Sequence, residues 1–286
     1  MTTTTRKRRS LLAAHIADKT VLANGVQMPW FGLGVWRVQE GNEVVDAVKA
    51  ALRNGYRSID TAAVYGNEEG VGQAIRESGV DRNELFVTTK VWNADQGYDS
   101  TLQAFEESRR KLGLDMIDLY LIHWPVKGKY KETWRALEKL YKDGAVRAIG
   151  VSNFHVHHLK DVMDGAEIKP MVDQVEFHPM LAQPELRAFS KENGIQLEAW
   201  SPLMQGRLDN PVLLELAGKH GKSPAQIVLR WDLQHGVVTI PKSIQEHRIR
   251  ENADIFNFEL SAADMEAIDA LNRNERIGAD PDNFNF

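Results

Sequence analysis

The sequence predicts an α/β fold in which eight strand–helix units close into a (β/α)8 TIM barrel. Short β-rich runs alternate with amphipathic segments of helical length, and this alternation is typical of a parallel sheet with crossover helices. Eight such runs fit within about 250 residues, which is the usual size of this barrel. No linker of biased composition interrupts the alternation. Residues 19–286 are therefore predicted to be a single barrel domain.

The barrel is preceded by a predicted β-hairpin over residues 20–28, because the Asn-Gly pair at 24–25 is a turn signal. Gly55, Gly113 and Gly144 lie where helices are expected to stop. The strand candidates are WFGLGV, YRSID, LFVTTKV, IDLYLIH, VRAIGVS, MVDQVEF, QLEAWSP and GVVTIPKS. Helix candidates include residues 43–54, 100–112, 130–142 and 184–192.

Composition restricts the classes of partner. The chain has 286 residues and a net charge of −5, from 35 basic and 40 acidic side chains. It therefore has no chain-wide positive field to bind nucleic acid or an anionic membrane, and a small-molecule partner is expected. No apolar run approaches the ~20 residues needed to span a bilayer, and the sequence contains no cysteine. We expect a cytoplasmic protein, and no heptad or edge pattern in the sequence argues against a monomer.

Both ends of the chain lie outside the predicted strand–helix pattern. Residues 1–18 contain the basic run RKRR and are predicted to be a flexible basic extension, since their apolar piece is too short for a secretory signal. The tail beyond Arg276 is short. Together with the brief connection after His123, it suggests an open barrel mouth and small or polar substrates.

Polar side chains fall at the C-terminal ends of the predicted strands, where TIM barrels carry their active sites. Asp60 and Tyr65 follow the second strand. Lys90 lies in the third strand and His123 ends the fourth. Because these strand ends converge on one mouth, we expect the four side chains to lie close together. Further polar residues at strand ends are Ser152, Asn153, Gln174, Glu176, His178, Ser201, Lys242 and Ser243.

An acid, an amine and a phenol at one mouth suggest proton transfer. A tyrosine has an ordinary pKa of ~10, and a neighbouring ammonium stabilises the phenolate and lowers that pKa. Lys90 can supply the charge, and Asp60 can keep Lys90 protonated. His123 can donate a hydrogen bond that orients a substrate carbonyl toward Tyr65. General acid catalysis of this kind typically contributes ~10²–10⁴ in rate.

Five motifs in this order resemble those of the aldo-keto reductases: GYRSIDTAAVYGNEEGVG, KVWN, DLYLIHWP, AIGVSNF and IPKSIQEHRIREN. The chain is most similar to the bacterial glyoxal/methylglyoxal and 2,5-diketo-D-gluconate reductases. The resemblance implies an NADP-dependent enzyme that reduces aldehydes, α-dicarbonyls (glyoxal, methylglyoxal) or small keto-sugars to alcohols with hydride from the nicotinamide. It also implies a catalytic tetrad of Asp60, Tyr65, Lys90 and His123, with Tyr65 as the proton donor.

The phosphate-binding residues are expected after the seventh and eighth strands, where TIM barrels often bind phosphate. A Rossmann fingerprint is absent, because GLGVWR and GVGQAI each lack the third glycine. Lys242, Ser243 and Arg248 supply two cations and a hydroxyl, which suit an adenosine 2′-phosphate. The sequence therefore favours NADPH/NADP over NAD.

The resemblance implies the other cofactor contacts. Ser152, Asn153 and Gln174 match residues that hydrogen-bond the nicotinamide carboxamide. Trp200 matches the position whose ring stacks under the nicotinamide, where many relatives have tyrosine. Ser201, Leu203 and Gly206 are predicted to contact the pyrophosphate, and Glu251 and Asn252 the adenine. The other predicted cofactor-binding residues are Gly34, Val35 and Trp36 at the end of the first strand and Ile240 in the eighth.

Trp36, Trp92 and Trp124 each lie within a few residues of a predicted mouth position and are expected to line a substrate pocket. Tryptophans that only seal the barrel are the alternative. The run HVHH at 155–158 invites a metal hypothesis, but a solvated helix start is favoured because His157 and His158 are expected on different helix faces. No metal site is predicted.

Two other function classes stay open at this point. The first is a metal-dependent TIM-barrel hydrolase that uses Asp60, His123, Glu176 and His178 as ligands. It would leave the predicted phosphate-binding cations without a role. The second is a non-catalytic NADPH-binding module, against which the complete set of four catalytic residue types argues.

Overall fold

The computed structural model describes residues 13–286, and a two-stranded antiparallel hairpin opens it. Strands β1 (Lys19–Val21) and β2 (Gln27–Pro29) pair with Thr20 opposite Met28. The Asn24 side chain donates a hydrogen bond to the carbonyl oxygen of Arg147, at the start of a barrel strand. The predicted hairpin is confirmed, and it covers the N-terminal end of the barrel.

Eight parallel strands form the barrel sheet. In chain order they are β3 (Leu33–Gly34), β4 (Ser58–Asp60), β5 (Phe86–Val91), β6 (Ile117–Ile122), β7 (Val146–Ser152), β8 (Val172–Glu176), β9 (Gln196–Trp200) and β10 (Val238–Thr239). Each strand pairs with its neighbour in the sequence. A parallel bridge between Phe31 and Thr239 brings the last strand back to the first. All eight predicted strands and the barrel are confirmed.

Ten helices are present among the described residues and surround the sheet. They are α1 (Asn42–Arg53), α2 (Glu68–Glu77), α3 (Tyr98–Leu112), α4 (Tyr130–Lys142), α5 (Val156–Met163), α6 (Pro184–Asn193), α7 (Pro211–His220), α8 (Pro224–Gln234), α9 (Glu246–Ala253) and α10 (Ala262–Asp269). The four predicted helices are confirmed to within two residues at each end. Gly113 stops α3 in the left-handed conformation, with a φ of 65°.

The described part of the N-terminal segment packs against the barrel. The Arg230 guanidinium donates a hydrogen bond to the carbonyl oxygen of Ala13, and Ala13 is buried. The Asp18 carboxylate accepts hydrogen bonds from two backbone N–H groups in the same turn. The packed chain thus begins before the predicted boundary at residue 19. The run RKRR lies outside the described residues.

The centre of the barrel combines apolar packing with buried charge. Strands β5 and β6 are buried along their whole length, as expected for a parallel sheet covered by helices. Among the buried polar side chains are Asp60, Lys90, Gln174, Glu176 and Glu198. Buried charges require partners, because desolvation of an unpaired ion is costly. Within residues 13–286, no helix has the length and apolar character needed to cross a bilayer.

Candidate active site at the C-terminal ends of the strands

Lys90 is the centre of a buried polar group at the C-terminal end of the barrel. Its side chain is fully buried near the end of β5. The Nζ atom donates hydrogen bonds to Asp60 Oδ1 at 2.7 Å, the Thr61 carbonyl oxygen at 3.0 Å and Tyr65 Oη at 3.4 Å. These partners use the three protons of an ammonium. The sequence expectation that the amine and the phenol lie together is met.

A short 3₁₀ turn positions the phenol. Residues Ala63–Tyr65 form this turn directly after β4, and Gly66 ends it with a φ of 66°. The buried Asn67 amide donates to the carbonyl oxygens of Val35 and Val38, both at 2.9 Å. The loop that carries Tyr65 is therefore tied to the neighbouring strand end rather than free to swing.

His123 follows β6 and lies beside the phenol. The ring centroids of His123 and Tyr65 are 5.7 Å apart in an edge-on arrangement. Burial, and then the nearby charge of Lys90, hold the pKa of His123 well below its ordinary value. Its buried Nδ1 has no partner within the described part of the chain. The ring nitrogen left for a ligand is therefore Nε2, and a neutral imidazole with its proton there can donate to a ligand oxygen.

Burial changes the expected electrostatics of the phenol. It raises the pKa of Tyr65, and the Lys90 ammonium opposes that rise without reversing it. The expectation of a lowered pKa is wrong for the free protein, because the phenolate loses more solvation than one ammonium returns. For Lys90, burial favours the neutral amine, but Asp60 and Tyr65 outweigh it and raise the pKa. Tyr65 and Lys90 therefore both hold their protons at neutral pH.

A second carboxyl group, which the sequence interpretation missed, lies behind this group. The Gln174 Nε2 atom donates to Asp60 Oδ2 at 2.7 Å and to Glu198 Oε2 at 2.9 Å. Burial, and then the Asp60 charge, raise the pKa of Glu198 to about 8. The available signal was an acid at the centre of the apolar run QLEAW, where a buried strand is predicted.

The predicted nicotinamide-binding residues gather at the ends of β7 to β9. Ser152 Oγ donates to the carbonyl oxygen of Gln174 at 2.7 Å. Asn153 Nδ2 donates to the carbonyl oxygen of His123 at 3.0 Å, and its Oδ1 accepts from Trp200 Nε1 at 2.8 Å. Asn153 has a φ of 64°, which is unusual for a residue other than glycine. The structure thus brings this set next to the Lys90 group.

The predicted phosphate-binding residues lie at the start of α9. Lys242 and Arg248 are exposed, and neither has a carboxylate partner among residues 13–286. Ser243 Oγ accepts a hydrogen bond from the Gln245 backbone, and the N-terminus of α9 has no side-chain cap. Two unpaired cations beside free helix N–H groups fit an anionic group such as a phosphate. The chain therefore offers a suitable donor set for NADPH.

Other predicted cofactor residues form the walls around these two sets. Gly34 lies in the seam between β3 and β10, where an added Cβ would come within 2.9 Å of the Ile240 carbonyl oxygen. Val35 and Ile240 are buried beside it. Ser201 has a φ of 48° and Gly206 a φ of 90° in the loop after β9. Leu203 is half-buried in the same loop, Asn252 is buried in α9 and Glu251 is exposed there.

Two of the three predicted pocket tryptophans meet the C-terminal tail. The rings of Trp92 and Phe286 are stacked at 5.9 Å, and Trp92 also faces His123 at 5.2 Å. Trp124 packs against Phe284 at 5.2 Å. The expectation of an open mouth is therefore wrong on this side, because the short tail still reaches it. Trp36 instead is 42% exposed, with the Arg37 guanidinium 4.2 Å from its ring.

Comparison with known proteins identifies the family. Residues 31–273 match the Aldo/keto reductase family. The chain belongs to this family. It is 69% identical over 276 residues to the glyoxal reductase of Bacillus subtilis (strain 168), covering 96% of this chain and 100% of that protein. It is 46% identical over 276 residues to methylglyoxal reductase DkgA of Escherichia coli (strain K12), covering 94% and 99%.

A solved structure agrees. An aldo-keto reductase of Bombyx mori in complex with NADP superposes with a TM-score of 0.87 at 39% identity, covering 92% of this chain and 95% of that one.

Within this aldo/keto reductase, the imidazole cluster at the start of α5 binds the C-terminal tail. His157 and His158 have ring centroids 4.0 Å apart, so the expectation that they face different sides is wrong. Asp282 Oδ1 lies 2.8 Å from His157 Nε2 and 3.3 Å from His158 Nε2. His155 Nε2 lies 3.3 Å from Asp280 Oδ1. Neither aspartate was singled out from the sequence.

The tautomer of His158 decides how this cluster works. Its Nδ1 accepts a hydrogen bond from the His155 backbone N–H at 3.1 Å. The proton of neutral His158 is therefore on Nε2, which donates to Asp282. A metal ion would need that nitrogen without its proton. The imidazole cluster therefore fits a set of hydrogen bonds that attaches the C-terminal tail to α5.

The four residues considered for a metal-dependent hydrolase do not form a common ligand set. Both oxygens of Asp60 accept hydrogen bonds from other side chains. Glu176 faces His178 Nε2 at 2.9 Å, and its two oxygens also accept N–H groups of the tail at 277–278. No potential metal-binding group among residues 13–286 includes Asp60, His123, Glu176 or His178. In this aldo/keto reductase, Glu176 anchors the tail instead.

Proposed function

We propose that this chain reduces aldehydes, α-dicarbonyls such as glyoxal and methylglyoxal, or small keto-sugars to alcohols with NADPH, and that Tyr65 is the general acid. As a member of the family, the chain is an NADP-dependent oxidoreductase. The observation that carries the proposal is the 3.4 Å separation of Lys90 Nζ and Tyr65 Oη, with Lys90 held by Asp60 at 2.7 Å.

The donor groups described above support a defined orientation of the cofactor. Lys242, Ser243 and Arg248 would bind the 2′-phosphate through charge-assisted hydrogen bonds. Asn153 would bind the carboxamide together with Gln174, whose Nε2 protons are already used, so that its Oε1 remains as an acceptor. Trp200 is held by Asn153 and would present its ring to the nicotinamide. Bound NADPH supplies a hydride to the carbonyl carbon.

Tyr65 supplies the proton that the new alkoxide needs. Its raised pKa keeps the phenol protonated before the reaction. His123, held neutral, would donate a hydrogen bond to the carbonyl oxygen and bring it within reach of Tyr65 Oη. As Tyr65 loses its proton, the Lys90 ammonium stabilises the phenolate, and Asp60 fixes Lys90 in place. We expect this general acid step to contribute ~10²–10⁴ in rate.

The walls of the mouth favour small substrates. Trp92, Trp124 and the tail residue Phe286 form an aromatic wall beside His123. A compact dicarbonyl needs little room there, and two similar proteins are named glyoxal reductase and methylglyoxal reductase. We also expect a cytoplasmic monomer, and these two expectations remain predictions.

The decisive experiment measures NADPH absorbance after methylglyoxal is added, within a panel of aldehydes, dicarbonyls and keto-sugars. Tyr65→Phe is expected to lower kcat at least a hundredfold while NADPH still quenches the protein's fluorescence. Tyr98→Phe is the matched control and should retain full activity. Tight NADPH binding without turnover of any carbonyl would favour the non-catalytic module. A stoichiometric metal in the purified protein would favour the hydrolase.

A further inference from the structure

Glu198 is a buried acid with no role in the reaction described so far. It lies in the middle of β9, is fully buried, and its Oε2 accepts a hydrogen bond from Gln174 at 2.9 Å. The same amide nitrogen donates to Asp60 Oδ2 at 2.7 Å. The two carboxyl groups therefore share one amide, and both amide protons are used. Glu198 Oε1 has no partner within the part of the chain that the structure describes.

We propose that Glu198 is a positioning residue for proton transfer by Tyr65. Its carboxyl group stays protonated inside the barrel and acts through Gln174. Asp60 is then the single negative charge beside Lys90. The assignment rests on the proposed function. Two ionised carboxylates that share one amide in a buried site, where only Asp60 is paired with the Lys90 ammonium, would repel each other strongly. Protonation of Glu198 removes that repulsion, and because Oε2 accepts from Gln174 the proton would be on Oε1.

The charge on Glu198 matters because proton transfer creates a new negative charge nearby. With Glu198 neutral, the charges of Asp60 and Lys90 balance before Tyr65 gives up its proton. An ionised Glu198 would add a second anion and raise the pKa of Tyr65 further. Asp60 and Lys90 are the titratable groups that act on Glu198 in return, the first raising its pKa and the second lowering it.

The ionisation of Glu198 falls in an accessible pH range. Burial raises its pKa to about 8, with the Asp60 charge as the next cause. Below this pH the acid is neutral and Tyr65 is a competent proton donor. Above it, the anion makes Tyr65 a weaker acid. The alkaline side of the kcat profile should therefore report on Glu198.

The chain offers two matched controls. Asp173 in β8 and Asp232 in α8 are also fully buried, and burial raises the pKa of both well above the ordinary value. Asp173 accepts from the Phe154 backbone and Asp232 from Thr239. Neither accepts a hydrogen bond from Gln174 among the described residues. They separate a specific effect of Glu198 from the general effect of a buried acid.

The test compares kcat and KM for methylglyoxal between pH 6 and pH 10 in the wild type, Glu198→Gln and Asp232→Asn. A glutamine has nearly the shape of a protonated glutamate, so Glu198→Gln should stay within about twofold of the wild type at pH 6–7. Above pH 8 the wild-type kcat should fall, whereas that of Glu198→Gln should persist and exceed it about tenfold at pH 9. Asp232→Asn should follow the wild type.

The assignment is overturned if Glu198→Gln keeps the wild-type alkaline limb, if Asp232→Asn shifts it equally, or if folded Glu198→Gln loses more than tenfold at pH 7. An infrared titration provides a readout without turnover. The wild type should show a protonated-carboxyl carbonyl band that disappears near pH 8 and is absent from Glu198→Gln, and no such difference would also overturn the assignment. If the wild type turns over no carbonyl substrate, the proposed function is refuted. The infrared titration would still decide whether Glu198 is protonated.

Discussion

Replacement of Lys90 by methionine tests the buried ion pair and the proton transfer together. Methionine fills much of the lysine stem but removes the ammonium. The change deletes hydrogen bonds to Asp60, the Thr61 carbonyl oxygen and Tyr65. It leaves Asp60, only 2% exposed, with Gln174 as its side-chain partner. An uncompensated carboxylate then remains in the barrel interior.

The magnitudes follow from this burial. Removal of one partner of a buried ion pair typically costs about 3–5 kcal/mol, because the other charge stays desolvated. The double variant Asp60→Asn/Lys90→Met removes both charges, so it should recover most of that loss. Activity should not recover, because Tyr65 still lacks the ammonium that stabilises its phenolate. We expect kcat to stay at least a hundredfold below the wild type in both variants.

Urea unfolding at pH 7 and NADPH oxidation with methylglyoxal measure the two effects separately. The expected pattern is a single variant that is unstable and inactive, and a double variant that is stable and inactive. A Lys90→Met protein that loses less than 1 kcal/mol would contradict the buried ion pair. A double variant that regains activity together with stability would show that Lys90 only holds the fold.

Three further results are expected. Burial raises the pKa of Glu198 from 4.5 to about 8 in the folded chain. Between pH 4.5 and pH 8 the unfolded chain has released this proton while the folded chain still holds it. The free energy of unfolding therefore falls as pH rises through this range. Glu198→Gln should remove this slope, worth up to about 5 kcal/mol at 1.36 kcal/mol per unit, in urea titrations at several pH values. Lys242→Ala and Arg248→Ala should each raise KM for NADPH about tenfold or more, because each variant loses a charge-assisted hydrogen bond of about 1.5–3 kcal/mol. KM for NADH should not change. Equal changes for both cofactors would contradict a 2′-phosphate site. A Cβ at Gly278 would overlap the Trp200 ring. Gly278→Ala should therefore weaken NADPH binding by about fivefold, the value of one offset ring contact of ~1 kcal/mol, and unchanged affinity in fluorescence titration would argue against ring stacking.

Much of the barrel and of the residue cluster could be predicted because both depend on local patterns. Apolar runs such as that of β6 mark buried strands, and a parallel barrel brings all their C-terminal ends to one mouth. Asp60, Lys90 and His123 each end or follow such a run, so their proximity follows from topology alone. The pairing of Lys90 with Asp60 follows next, since a buried ammonium needs an anion.

Other features depend on long-range packing that no local pattern encodes. The tail reaches the mouth because Glu176 holds its backbone and the α5 imidazoles hold Asp282. Nothing in the sequence fixes that path. The sequence predicts a lowered pKa for Tyr65, whereas burial raises it. The depth of burial, not the presence of Lys90, decides the direction of this pKa shift. Glu198 was missed because its significance depends on the amide of Gln174 from a different strand.

The most direct measurement of the central claim is the pKa of Tyr65 itself. Protein labelled with ¹³C at tyrosine Cζ can be titrated by NMR, with Tyr65→Phe to assign the signal. If the Lys90 ammonium stabilises the phenolate across 3.4 Å, the pKa of Tyr65 will be higher in Lys90→Met than in the wild type. An equal or lower pKa in that variant would contradict proton donation assisted by Lys90.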